Sequence, residues 1–217
     1  MKSRYGNMSA SARATQHAVF SVHDYVLLER DSSVKHEYFD GQIRAMSGGT
    51  PEHARLSAVI SRILDAALDG SRCTVYSSDL RVCVRKTGLR TYPDVTVVCG
   101  PLESDPEDEN GATNPIVIVE VASKSTEKYD RGEKLDNYKQ IRSLKEYVLV
   151  SQRERAIEVF RRTSGGWTNH MARSGDQIVL SSVGVTLDVD TVYRSATIVR
   201  VTKKSGDRRR RSSRNLG

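Results

Sequence analysis

Six consecutive residues, Ile116-Val117-Ile118-Val119-Glu120-Val121, contain five β-branched apolar side chains and a single carboxylate. A continuous apolar run of this kind reads as a central strand buried on both faces, which requires covering layers on each side of its sheet. Glu120 is out of place in such a strand. An ionised carboxylate in a dry interior is very costly without a partner or a metal. One segment therefore predicts both a layered domain and its first candidate functional residue.

The flanking sequence supplies the layers. Ser21 caps an expected short helix over 22–30, and Asp40-Gly41 between 35–39 and 42–46 is a two-residue hairpin signal. Thr50 is a good N-cap and Pro51 suits the first helical position. Leu56, Val59, Ile60, Ile63, Leu64, Ala67 and Leu68 then recur at helical spacing until Gly70. Strands are expected over 73–77, 79–85 and 91–99. The acidic stretch 101–114 reads as a solvated loop without the spacing of a calcium-binding EF-hand. A helix over 126–142 is expected despite Gly132. Strands follow over 146–151, 156–162 and 167–172, then short strand-like pieces from 177 to 201. Helix, hairpin, long helix, strands, helix and more strands make an α/β or α+β domain with a mixed sheet, not an uninterrupted βαβ series.

Asp94 has a context like that of Glu120, in Tyr92-Pro93-Asp94-Val95-Thr96-Val97-Val98. If the two strands are neighbours, both carboxylates converge at one end or one face of the sheet. Two carboxylates, waters and a backbone carbonyl, that of Val121, suit Mg²⁺ (or Mn²⁺), which favours oxygen ligands and keeps several waters. Lys134 follows fourteen residues after Glu120. On the next helix, its ammonium could orient water and stabilise charge in a transition state. The competing reading joins Glu120 to Lys134 or an arginine as a structural ion pair and leaves Asp94 as a strand-edge acid.

Several motifs occur in order: His36-Glu37-Tyr38 with Asp40-Gly41, Pro51-Glu52-His53, Ser77-Ser78-Asp79-Leu80, Tyr92-Pro93-Asp94, Ile118-Val119-Glu120-Val121-Ala122-Ser123-Lys124, Tyr129-Asp130-Arg131-Gly132-Glu133-Lys134 and Glu146-Tyr147-Val148-Leu149-Val150. Together they resemble the bacterial Uma-two family of restriction-type endonucleases in the PD-(D/E)xK superfamily, over roughly residues 20 to 195. The resemblance implies a restriction-endonuclease-like core, with a central mixed β-sheet flanked by helices and a nuclease-type metal site. Asp94 matches the first acid of the motif and Glu120 the second. Position 122, where the strict motif has Lys, is Ala here, which makes Lys134 the match and Lys124 its competitor. Asp79, Glu37 and His53 form a second tier: a strand-start acid, a hairpin acid and a histidine in the first turn of the long helix. The implied activity is Mg²⁺-dependent hydrolysis of DNA phosphodiester bonds. The alternative is a DNA-binding protein on an inactive nuclease scaffold. Cutting both strands of a duplex with one such domain calls for a homodimer.

Charge distribution adds an organisation. The net charge is +7, but residues 203–217 hold seven basic residues, Arg208, Arg209, Arg210 and Arg211 among them, against one acid. Residues 1–18 hold three basic residues and no acid, so the body, 19–202, is slightly acidic. We therefore expect a basic flexible leader (1–18), one nuclease-like domain (19–202) and a disordered polybasic tail (203–217), which is either a sequence-independent phosphate contact or a solvated arm. No apolar run approaches a membrane span or a secretory signal, so a soluble protein is expected. Aromatic residues make up only 6% of the chain, which gives little support to a stacking platform for single strands. Cys73, Cys83 and Cys99 lack zinc spacing and read as free core thiols, from which a reducing cytoplasm follows.

Overall fold

A computed structural model describes residues 19–194; the leader, the end of the expected domain and the basic tail with Arg208–Arg211 lie outside the described residues. Helix α1 (Val22–Asp31) begins at Ser21, whose hydroxyl and Asp24 form a capping box. Strands β1 (His36–Phe39) and β2 (Gln42–Ala45) pair through the expected tight turn. Both turn residues have positive φ, 49° at Asp40 and 74° at Gly41, as a turn matching the twist of its strands requires. Helix α2 (Pro51–Leu68) starts at the Thr50 cap, as its sequence predicts, and buries Leu56, Ile60, Leu64 and Leu68 along one stripe.

The chain then builds two six-stranded sheets. The first has the order β2-β1-β5-β4-β8-β7, with β4 (Arg81–Val84), β5 (Leu89–Thr91), β7 (Ser104–Asp105) and β8 (Asp108–Ala112). The second has the order β12-β11-β10-β9-β6-β3, with β3 (Cys73–Ser77), β6 (Val95–Cys99), β9 (Val117–Ala122), β10 (Glu146–Ser151), β11 (Ala156–Thr163) and β12 (Gly166–Arg173). Here β9 runs parallel to β10 and antiparallel to β6. Every residue of β9 is buried, as its apolar run demands. Alternation sends its side chains to two cores. Val117, Val119 and Val121 pack with the α2 stripe, whereas Ile118 and Ala122 pack with Leu135, Tyr138 and the β4–β5 residues Val82, Val84 and Leu89. A small hairpin, β13 (Gln177–Leu180) and β14 (Val185–Asp188), and helix α5 (Val189–Tyr193) close the α2 side.

Four expectations are corrected. The strand over 91–99 is two strands in different sheets, because Pro93 cannot donate to a ladder and the chain crosses from β5 to β6 at Tyr92-Pro93-Asp94. The helix over 126–142 is two short helices, α3 (Glu127–Arg131) and α4 (Glu133–Tyr138), broken where Gly132 leaves helical geometry at φ −108°, ψ −105°. The acidic stretch is no solvated loop: Asp105 and Asp108 are 5% and 2% exposed. They are held by Arg90 and Arg81 of the first sheet, with Arg85 reaching Asp105. Finally, Cys73 and Cys99 are not free thiols. They face each other across the antiparallel β3–β6 pair, 3.9 Å apart at Cα, and form a disulfide; Cys83 alone remains a buried thiol. The inference of a reducing compartment from three free cysteines therefore loses its basis.

Candidate nuclease site

The break at Pro93 places Asp94 just before β6. The β6–β9 register pairs Val95 with Val119, and just beyond its end Asp94 takes the N–H of Val121, the residue after Glu120. Glu120 is on the β9 face covered by α4, where Lys134 and Tyr138 are one helical turn apart and so share a side of the helix. Lys134 Nζ lies 2.7 Å from Glu120 Oε1, and the Tyr138 hydroxyl donates to the same oxygen at 2.8 Å. Asp130, at the end of α3, is 4.0 Å from Lys134 Nζ. Asp94 has two partners of its own. Its Oδ2 accepts the Val121 backbone N–H at 2.7 Å, and its Oδ1 lies 3.0 Å from His53 Nε2.

Asp94, Glu120, Asp130, Lys134 and His53 line one cleft of about 860 Å³ between the β1–β2 hairpin and the segment that leads into α3. Glu37 enters from β1, buried, and accepts hydrogen bonds from the Tyr129 hydroxyl (2.5 Å) and Thr91 Oγ1 (2.7 Å). Among the buried side chains of the cleft, Glu37, Glu120 and Asp130 face one cation, Lys134, while Lys35 and Arg44 line its more exposed wall. Burial pushes the Glu120 carboxyl up to about 8; Lys134 opposes this, and Asp94 and Asp130 add to it. For Lys134, burial works against the ammonium, but Glu120 and Asp130 outweigh it and hold its pKa above the ordinary value. The hydrogen bond to Asp94 raises the His53 pKa against the effect of burial. Three buried carboxyls around a single buried ammonium favour a further cation at that end of the cleft.

The donor chemistry fits a hard divalent ion. Glu120 Oε1 takes both hydrogen bonds, while Oε2 receives none from the described residues. The Val121 carbonyl faces the same region and accepts only a long hydrogen bond, 3.3 Å, from Gln152. Among the described residues no three His, Cys, Asp or Glu side chains form a compact ligand cluster. Two carboxylates completed by a carbonyl and waters suit Mg²⁺ better than an all-protein cage would.

The candidates sort unevenly. Asp94, Glu120, Lys134, Glu37 and His53 meet in the cleft. Lys124 is exposed on the turn after β9, and Asp79 is an 83% exposed side chain paired with Lys35. Sequence reasoning passed over Asp130, Tyr138 and Gln152. The first two were accessible from the four-residue spacing Asp130, Lys134, Tyr138, which places all three on one side if the chain is helical. Gln152 carried no local signal, since its partners are far away in sequence.

A mixed sheet with acids at adjacent strand ends and a lysine on the covering helix defines a restriction-endonuclease-like fold. A crystal structure described as a putative nuclease belonging to DUF820, from Anabaena variabilis, has the same fold, with a TM-score of 0.66 at 13% identity over 80% of this chain and 97% of that one. The chain belongs to the Uma2 family, whose model, described as "Putative restriction endonuclease", matches residues 22–190. Two relatives from Synechocystis sp. are uncharacterized proteins. One, slr1290, is 38% identical over 80% of this chain and 91% of its own length. The other, sll1609, is 28% identical over 62% of this chain and 76% of its own. Among the described residues no helix is long and apolar enough to cross a membrane.

Proposed function

We propose that the protein is a Mg²⁺- or Mn²⁺-dependent endonuclease that hydrolyses DNA phosphodiester bonds at the Asp94–Glu120–Lys134 cleft. The observation that carries this reading is that Asp94, bonded to the Val121 N–H beside Glu120, shares one cleft with Glu120 and with Lys134 directly on Glu120. Asp94, Glu120 and the Val121 carbonyl would hold the ion. Once bound, the ion supplies Lewis-acid stabilisation of the phosphoryl group and makes a water more acidic. Lys134 donates from the floor of the cleft, orienting the attacking water and offsetting charge that grows on the phosphate. Glu120 and Asp130 keep that ammonium protonated for the role. Tyr138 fixes the Glu120 carboxylate so that it need not reorganise during reaction.

One observation favours the alternative of a DNA-binding scaffold without activity: Asp94 and Glu120 both already have protein partners, as a structural network would. The two readings separate on labelled linear and branched DNA incubated with Mg²⁺ or Mn²⁺. The nuclease reading expects metal-dependent cleavage that Asp94→Ala removes; binding without cleavage under every metal would favour the scaffold.

A further inference from the structure

The grip on Asp94 is part of a closed circuit. His53 Nε2 meets Asp94 Oδ1 at 3.0 Å, and the His53 backbone N–H donates to Thr50 Oγ1 at 3.1 Å. The Thr50 hydroxyl donates to Gln152 Oε1 at 2.7 Å, and Gln152 Nε2 donates to the Val121 carbonyl at 3.3 Å. The Val121 N–H returns to Asp94 Oδ2 at 2.7 Å. Each group acts in a role it can fill. The Thr50 hydroxyl accepts once and donates once, and the Gln152 carboxamide presents oxygen to the hydroxyl and nitrogen to the carbonyl. The circuit links four parts of the fold that are distant in sequence: the start of α2, the crossover into β6, the end of β9 and the end of β10.

A second contact seats the imidazole from behind. A Cβ placed on Gly49 would lie 2.6 Å from His53 Nδ1 and 2.7 Å from its Cγ, so the backbone of Gly49 is packed against the ring. No side chain larger than hydrogen fits there while His53 keeps its place. Gly49 is not at positive φ, so this close approach, not backbone freedom, is what its missing side chain provides.

We propose that His53 and Gln152 are positioning residues for the metal site: through Thr50 they lock the first turn of α2 to Val121 and hold both oxygens of Asp94 in the orientation that receives the ion, with Gly49 as the seat of the imidazole. This rests on the metal-dependent reading of the site. It goes further in assigning roles to residues that would not touch the ion or the DNA. Outer partners that orient ligating groups are typically worth about 10–100-fold in metal affinity.

The test uses the full chain and two readouts. In metal-free protein, the His53 Nε2–H held by Asp94 should give an exchange-protected imidazole proton in NMR spectra, assigned by its loss in His53→Ala. Gly49→Ala and Gln152→Ala should both abolish that protection while leaving the backbone amide spectrum of β6 and β9 folded. Calorimetric titration with Mn²⁺ should then show binding to wild type that is about tenfold weaker in each variant. Wild-type binding with unchanged affinity in both variants overturns the inference and leaves the metal site intact. If wild type itself binds no Mn²⁺, the nuclease reading falls. The imidazole signal then still decides the circuit: persistence in Gly49→Ala and Gln152→Ala overturns it, and loss in both upholds the positional lock.

Discussion

Glu120→Gln tests whether the buried carboxyl serves the fold or opposes it. In the unfolded chain this group titrates near 4.5, whereas burial in the native protein pushes it up to about 8. A raised native pKa in an acid means that the folded state holds its proton longer. The associated stability is fully present below the unfolded value and is lost as pH rises through the folded one. Each unit is worth about 1.4 kcal/mol, which sets an upper bound of roughly 5 kcal/mol on the loss between pH 4.5 and 8. Glutamine keeps the shape and the acceptor for Tyr138 but cannot ionise. Urea unfolding in chelator should therefore give a wild-type free energy that falls relative to the variant as pH rises from 6 to 8, within that bound. Without the carboxylate, burial lowers the Lys134 pKa, so the variant gains stability as pH rises and the two curves diverge further in the same sense. Excess Mg²⁺ should recover much of the wild-type loss at pH 8 and none in Glu120→Gln, because binding to the native state stabilises it by mass action. Parallel curves would refute the reasoning and make Glu120–Lys134 an ordinary buried ion pair.

Two further outcomes follow from particular contacts. Lys134→Ala should lower cleavage by about 10²–10³-fold, as loss of a charge-stabilising donor does, whereas Lys124→Ala, exposed on the turn after β9, should stay within a few-fold of wild type in the same assay. Reducing the Cys73–Cys99 disulfide, which spans 26 residues of sequence, should cost about 3 kcal/mol in urea unfolding. Alkylation of the denatured, unreduced protein should label Cys83 alone, and three labelled cysteines with no reductant effect would contradict the pairing.

Local signals made much of the fold legible. The Ser21 and Thr50 caps, the Asp40-Gly41 turn and the β9 apolar run each carry their structure within a few residues, and each element formed where expected. What failed depended on distant partners. Asp105 and Asp108 read as solvated because nothing nearby in sequence announced Arg81 and Arg90, and Cys73 and Cys99 were separated by a strand reversal that spacing does not encode. The helix expected over 126–142 failed for a local reason: its apolar positions continue past Gly132, but the glycine leaves helical geometry. The site followed the same pattern. Asp94, Glu120 and Lys134 stood out because charge in an apolar strand, or a lysine just after one, needs an explanation. Their coming together depended on the β6–β9 register, which the sequence left open. His53 could have been raised in rank, since it lies three residues before Leu56 and seven before Ile60 and so continues the buried stripe of α2 toward the strand ends.

The most direct test of the central claim is conversion of supercoiled plasmid to nicked and linear forms with Mg²⁺ or Mn²⁺, comparing wild type with Asp94→Asn and Glu120→Gln, all confirmed folded by circular dichroism. The account predicts cleavage that requires the metal, stops in chelator and falls by at least about 100-fold in both variants. Cleavage that persists in chelator or survives both substitutions, or its absence from wild type under either metal, would contradict it.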